Sequence, residues 1–189
     1  MMREIIRSYL SPQMVPTLMY SSFEAWRGLP GSIDGSGTAI ENPVVTGFLS
    51  QFSAMKLALE ATIDRAIEER HHLILEGVHV VPTELNLEVK AGEAVVIPIM
   101  LASMKKELLR KQLKRRGREK NQHQASHYLE NLDDIWELQS WLLDEADKAG
   151  ILIIENWYIE DAVRAALDYI IGVLMKHFPS QPDEEVWES

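Results

Sequence analysis

The chain has 189 residues, 46% of them hydrophobic and 25% charged, with a net charge of −10 and no cysteine. That length fits one domain burying roughly 70% of its unfolded surface, and a chain without cysteine has neither disulfides nor thiolate metal sites. The negative charge argues against general nucleic-acid affinity, no run approaches the roughly 20 apolar residues of a membrane span, and the charged start MMREIIRSYL is no signal peptide, so a cytoplasmic location is expected.

Residues 2–10 read as the tail of a helix that starts without a cap. Ser11-Pro12 breaks it, and Pro16–Arg27 supplies a short helical stretch with Met19, Phe23 and Trp26 at three- and four-residue spacings. Leu29–Asn42 is rich in Gly and Ser, but no Lys follows any of its glycines and no strand precedes it. It therefore fails the requirements of a GxxxxGK[ST] phosphate cradle and reads as a surface loop. Asn42-Pro43 pairs a capping side chain with a first-turn proline, which predicts the start of the longest helix, running to about Arg70.

The stretch His71–Thr83, HHLILEGVHVVPT, reads as a buried strand ending in an acid: Leu73, Ile74 and Leu75 form the run, and Glu76-Gly77 its carboxyl end. His79 stands alone between valines, and Pro82 stops the element. Ala94–Leu101 reads as a second strand weakened by Pro98, which removes a ladder donor. Lys105–Lys120 holds nine of the 19 Lys and Arg against two Glu, so this block is +7 and the rest of the chain is −17. It is expected to begin as a helix and loosen around Gly117. Tyr128–Lys148 is a long amphipathic helix ended by Gly150, Ile151–Ile154 a third strand followed by Glu155-Asn156, and Ile159–Phe178 a final helix. These elements make residues 1–178 a single α/β domain, and 179–189 an acidic tail.

Ligands of α/β sheets sit outside the carboxyl ends of the strands, which puts Glu76 and His79 among the candidate site residues. Against that stand a solvated carboxylate for Glu76 and a structural histidine for His79. The basic block is a candidate anion site, or a solvated face; RNA binding is a third and weaker reading.

Three stretches carry a family resemblance. ILEGVHVVP at Ile74–Pro82, YSSFEAW at Tyr20–Trp26 and YLENLDDIWELQSWL at Tyr128–Leu142 are similar to segments of the 2-phosphoglycerate kinase family of P-loop kinases, and Asn156 matches that family's strand-terminal Asn. The resemblance implies a three-layer, mostly parallel sheet flanked by helices, incomplete at its N-terminal side because a first strand and phosphate-binding loop are not matched. It implies ATP and Mg²⁺ as cofactors, phosphoryl transfer to a phosphorylated hydroxy acid, and a small phosphorylated anion as ligand. Glu76 would then stand near the metal, and His79 and Arg116 near the transferred group. Arg110, Arg115 and Arg118 would belong to a lid over residues 105–120, and Ser21, Ser22, Arg27 and Asn156 to the substrate side. Leu132, Trp136 and His127 depart from the family pattern, which tends to have an aromatic, a basic residue and Arg there. Two further expectations follow: this chain alone is inactive, and a second chain or N-terminal segment completes the sheet. The alternative is a non-catalytic remnant that binds an anion or a partner protein.

Overall fold

The structure is a computed structural model, described here for residues 2–10, 13–31, 40–85, 87, 93–120 and 122–179; side chains of 116–125 are outside that description. Helix α1 spans Met2–Tyr9. The stretch predicted as one short helix, Pro16–Arg27, forms two 3₁₀ helices instead, Pro16–Met19 and Ser22–Gly28. Pro16 opens the first of them.

Helix α2, Pro43–Glu68, starts as predicted: the Asn42 side chain accepts from the Val45 N–H at 2.9 Å. Its apolar face, Val44, Phe48, Phe52, Met55 and Leu59, is the centre of the main core, joined by Phe23, Val81, Leu85 and Leu138. Gly47 permits the closest approach of any glycine among the described residues. A Cβ there would meet Trp26 N at 2.1 Å, so the second 3₁₀ helix lies directly on α2.

Strand β1 is Ile99–Ala102 and strand β2 is Leu152–Glu155. They pair in parallel, with Ile99 opposite Leu152 and Ala102 opposite Glu155. The second predicted strand, Ala94–Leu101, is thus shorter, because Pro98 supplies no N–H and the ladder begins just after it. Between the strands run α3 (Lys106–Lys120), α4 (Gln122–Glu130) and α5 (Leu132–Lys148); α6 (Ile159–His177) follows β2. Two expectations fail here. Helix α3 continues through Gly117 rather than loosening, and the long helix from Tyr128 is interrupted at Asn131. Gly150 ends α5 as predicted, at φ +63°.

The largest correction concerns Leu73–Leu75. This segment belongs to no helix and no sheet: the described sheet has two strands, and Ile74 is 93% exposed. A parallel strand reads as a solid apolar run because both faces are covered. The sequence carries that run at 73–75, but no neighbouring strand is present among the described residues to pair with it. The observed architecture is compatible with an α/β fold, with its core concentrated between helices rather than on the sheet.

Candidate functional site at the strand ends and the head of α5

Two glutamine side chains organise the carboxyl ends of the strands. The Asn156 N–H donates to Ala102 O at 2.9 Å, extending the ladder one step past β2. Ser103, buried just past β1, is gripped from α5: its N–H donates to Gln139 Oε1 at 3.1 Å and its carbonyl accepts from Gln139 Nε2 at 2.9 Å. The Ser103 hydroxyl donates to Gln112 Oε1 at 2.6 Å, and Gln112 Nε2 donates to Asn156 O. Helix α3 therefore leaves β1 and is tied back across both strand ends. A buried Ser103 left without these partners would cost about 1–3 kcal/mol per group.

Leu109 and Leu113 set the orientation of α3, since both are buried. Arg110, Lys111, Lys114 and Arg115 lie on its exposed side. Lys106, at the helix start, pairs with Asp133 Oδ1. Arg116 and Arg118 belong to the same helix, but their side chains lie outside the described residues.

The second part of the site is built on a buried carboxylate that sequence reasoning passed over. Glu24 lies in the second 3₁₀ helix with its side chain 8% exposed. Ser21 Oγ donates to its Oε2, Arg27 donates to its Oε1 at 3.0 Å, and His127 Nε2 lies 2.9 Å from Oε2. Burial alone would push the Glu24 carboxyl up. The Ser21 hydroxyl, His127 and Arg27 outweigh it and hold the group below the ordinary carboxylate range. The Arg27 guanidinium sits 5.3 Å from the centre of the Tyr20 ring. Ser22, by contrast, only opens the 3₁₀ helix, half-buried.

The two parts meet at the head of α5. Trp26 donates from Nε1 to Asp134 Oδ2 at 3.0 Å, while the adjacent Asp133 holds Lys106 of α3. One turn of helix thus fixes the Glu24 cluster on one side and the start of the basic helix on the other. Asp133 and Asp134 fell within the segment read as an amphipathic core helix. Their signal was two acids in its first turn, where the helix dipole favours them.

Glu76 and His79 part company. Glu76 is exposed, and Gly77 after it takes φ +144°, a region that strains any side chain. His79 turns inward: its Nε2 lies 3.0 Å from Gln51 Oε1, and its ring stacks on Phe48 with centroids 5.1 Å apart. Gln51 is fully buried and its amide nitrogen donates to Thr17 O and, at 2.9 Å, to Tyr20 O. With both amide protons committed, Gln51 Oε1 must accept, so His79 carries its proton on Nε2. Burial pushes the imidazole down to about 4, with the Arg3 guanidinium acting in the same direction. Among the described residues, no direct contact brings Glu76 or His79 to Asn156 or to the basic helix.

Parallel strands whose carboxyl ends are tied to a basic helix are compatible with an α/β fold. Neither a protein-family model nor a solved structure matches the chain. Curated relatives do. The chain is 33% identical over 169 residues to the 2-phosphoglycerate kinase of Pyrococcus horikoshii, covering 89% of this chain and 52% of that protein. The enzymes of the same name from Pyrococcus furiosus and Methanopyrus kandleri are each 31% identical, over 89% and 92% of this chain and 52% and 51% of their own lengths. The chain is thus similar over about nine-tenths of its length to 2-phosphoglycerate kinases, and it spans about half the length of the curated relatives it matches.

Proposed function

We propose that this chain is one half of a phosphotransferase, and that in the whole protein it presents the acceptor and the charge-neutralising helix for phosphoryl transfer from ATP to 2-phosphoglycerate or a similar phosphorylated hydroxy acid. The observation that carries the reading is the similarity to 2-phosphoglycerate kinases across about nine-tenths of the chain. The geometry supports it: the basic helix and the Glu24 cluster share the head of α5, and the end of β1 is held by Gln139 of the same helix. In the reaction the bond between the β,γ-bridging oxygen and the γ-phosphorus of ATP breaks, the acceptor's hydroxyl oxygen bonds to that phosphorus, its proton is released and ADP leaves. The work of such a site is positioning and electrostatics. Arg27, oriented by Glu24 and Tyr20, would meet the acceptor's carboxylate or phosphate, and Arg110 and Arg115 would offset charge on the transferred group once α3 turns its outer side toward it.

The described residues do not by themselves fit Mg²⁺ or the ATP phosphates. No group of three His, Asp or Glu side chains is placed to hold a cation, and Glu76 stands alone at the surface. This chain alone is therefore expected to be inactive. A P-loop kinase layout belongs to the whole protein on this reading.

The reading is tested with a single polypeptide in which the unmatched half of the Pyrococcus horikoshii kinase precedes this chain. With ATP, Mg²⁺ and 2-phosphoglycerate, phosphorus NMR should show a doubly phosphorylated glycerate, and Arg27→Ala should raise KM for the acceptor at least tenfold. A folded fusion that binds ATP yet transfers nothing would sink the proposal. That outcome would favour a non-catalytic anion-binding protein, a reading supported by the outward direction of Arg110, Lys111, Lys114 and Arg115.

A further inference from the structure

The imidazole of His127, near the end of α4, is 46% exposed and yet fixed in place. Its Nε2 lies 2.9 Å from Oε2 of Glu24, whose own side chain is 8% exposed. The Glu24 carboxyl is held below its ordinary range against the effect of burial, so it is ionised at neutral pH and both its oxygens can only accept. The ring proton of neutral His127 therefore sits on Nε2, and the lone pair on Nδ1. The buried Phe23 lies against the ring with centroids 5.7 Å apart, which limits its rotation. What Nδ1 meets within the chain is weak. Asn131 Nδ2 stands 3.5 Å from it, at the outer limit of a hydrogen bond, while the same nitrogen donates to His127 O at 2.8 Å.

A buried carboxylate that fixes one imidazole nitrogen and leaves the lone pair of the other uncommitted prepares a histidine to take a proton. Its neighbour supplies the context. Arg27, 53% exposed, is bonded to the other oxygen of the same carboxylate, so guanidinium and imidazole each stand one hydrogen bond from Glu24. In 2-phosphoglycerate a single carbon separates the carboxylate carbon from the carbon that bears the hydroxyl. An acceptor seated by its carboxylate on Arg27 therefore carries its hydroxyl close to that anchor. We infer that His127 is the general base of the transfer, its Nδ1 taking the proton of the acceptor's hydroxyl while Glu24 orients the ring through Nε2. The assignment rests on the kinase reading and specifies where the released proton goes. As the acceptor oxygen bonds to the γ-phosphorus of ATP, the bridging oxygen keeps the electron pair of the breaking bond and leaves with ADP. The proton becomes the Nδ1–H of an imidazolium, whose charge is offset by Glu24, and passes to water from the exposed ring. Among the described residues the charged side chain that pairs with the ring is Glu24, and Arg27 is the cation that shares it.

His127→Gln separates a base from a tether, because its amide can still donate to Glu24 but takes no proton. The variant is made in the fusion of the unmatched half of the Pyrococcus horikoshii kinase with this chain, assayed with ATP, Mg²⁺ and 2-phosphoglycerate. We expect kcat to fall at least about a hundredfold, KM for the acceptor to stay within about threefold, and the acid limb of the kcat–pH profile to disappear. A second measurement needs no activity: nitrogen-15 NMR of the His127 ring in the 189-residue chain by itself should show the neutral ring protonated on Nε2. A His127→Gln fusion with undiminished kcat, or with its loss confined to KM, would overturn the base and leave the kinase standing. So would a neutral ring protonated on Nδ1. A folded fusion with His127 in place that binds ATP yet transfers nothing removes the kinase reading, and the base falls with it.

Discussion

At the scale of single residues, Gln51 is the side chain on which most depends. It is fully buried in the middle of α2 and satisfies Thr17 O, Tyr20 O and His79 together. Gln51→Leu keeps the volume but orphans two carbonyls and an imidazole N–H, and we expect a loss of about 2–4 kcal/mol in urea denaturation. His79 makes the same network pH-sensitive. Its folded-state value is about 4, below the ordinary value of 6.5. Between those two values the unfolded chain binds a proton that the folded chain does not, so stability rises with pH across that window. Folding stability should thus be flat above about pH 6.5 and fall by on the order of 2 kcal/mol toward pH 4. His79→Gln, which can still donate to Gln51, should flatten the slope between pH 4.5 and 6.5; an unchanged slope in that variant would assign it to other groups.

At the scale of elements, the contact between α2 and the second 3₁₀ helix is the closest made at any glycine among the described residues. Gly47→Ala places a methyl within 2.1 Å of Trp26 N and 2.5 Å of Ala25 C, both backbone atoms with no rotamer to yield. We expect at least about 3 kcal/mol of destabilisation, read as a lower urea midpoint, and loss of the indole bond to Asp134 visible in the Trp26 amide and indole NMR signals. The sequence shows why some elements were legible and others not. Helices α2 and α6 carry their own start signals or periodicity, and Gly150 its own stop, so local chemistry decides them. The 3₁₀ helices do not. Phe23 and Trp26 have helical spacing, yet it is docking against Gly47, 24 and 21 residues away in sequence, that fixes the segment. The run Leu73–Leu75 shows the opposite case: its residues read as a strand, but pairing is not a property of one segment, and the described residues hold no partner for it. Within the site, Arg27 and Ser21 were singled out by the family resemblance alone. Glu24 was not, because a buried carboxylate is distinguished from a solvated one only by who surrounds it.

At the scale of the whole molecule, apolar surface is distributed unevenly, and α6 shows it best. Ala162 packs inward, while Ile159, Val163, Leu167, Ile171, Met175 and Phe178 lie on the exposed side, between 51% and 69% exposed. Scattered exposed apolar residues are ordinary, but five large ones along one helix of 19 residues, with Phe178 just past its end, form a continuous row. Their substitution tests whether that row contributes to the fold of this chain or only to its association. In the structure they bury little surface on folding, so the transfer term of about 25 cal/mol per Å² gives them little weight in stability. Leu167→Glu together with Ile171→Lys adds an i,i+4 pair in the favourable order on an exposed face. We expect that double variant to keep its thermal midpoint within about 2 °C while lowering ANS fluorescence and raising the concentration at which the chain begins to associate. A drop in midpoint of 5 °C or more would mean that the row is buried in solution against this chain's own residues, and the placement of α6 against β2 would have to be revised. An unchanged midpoint with unchanged association would instead place the adhesive surface elsewhere, with the exposed Leu101 on β1 and Ile74 outside the sheet as the next positions to charge.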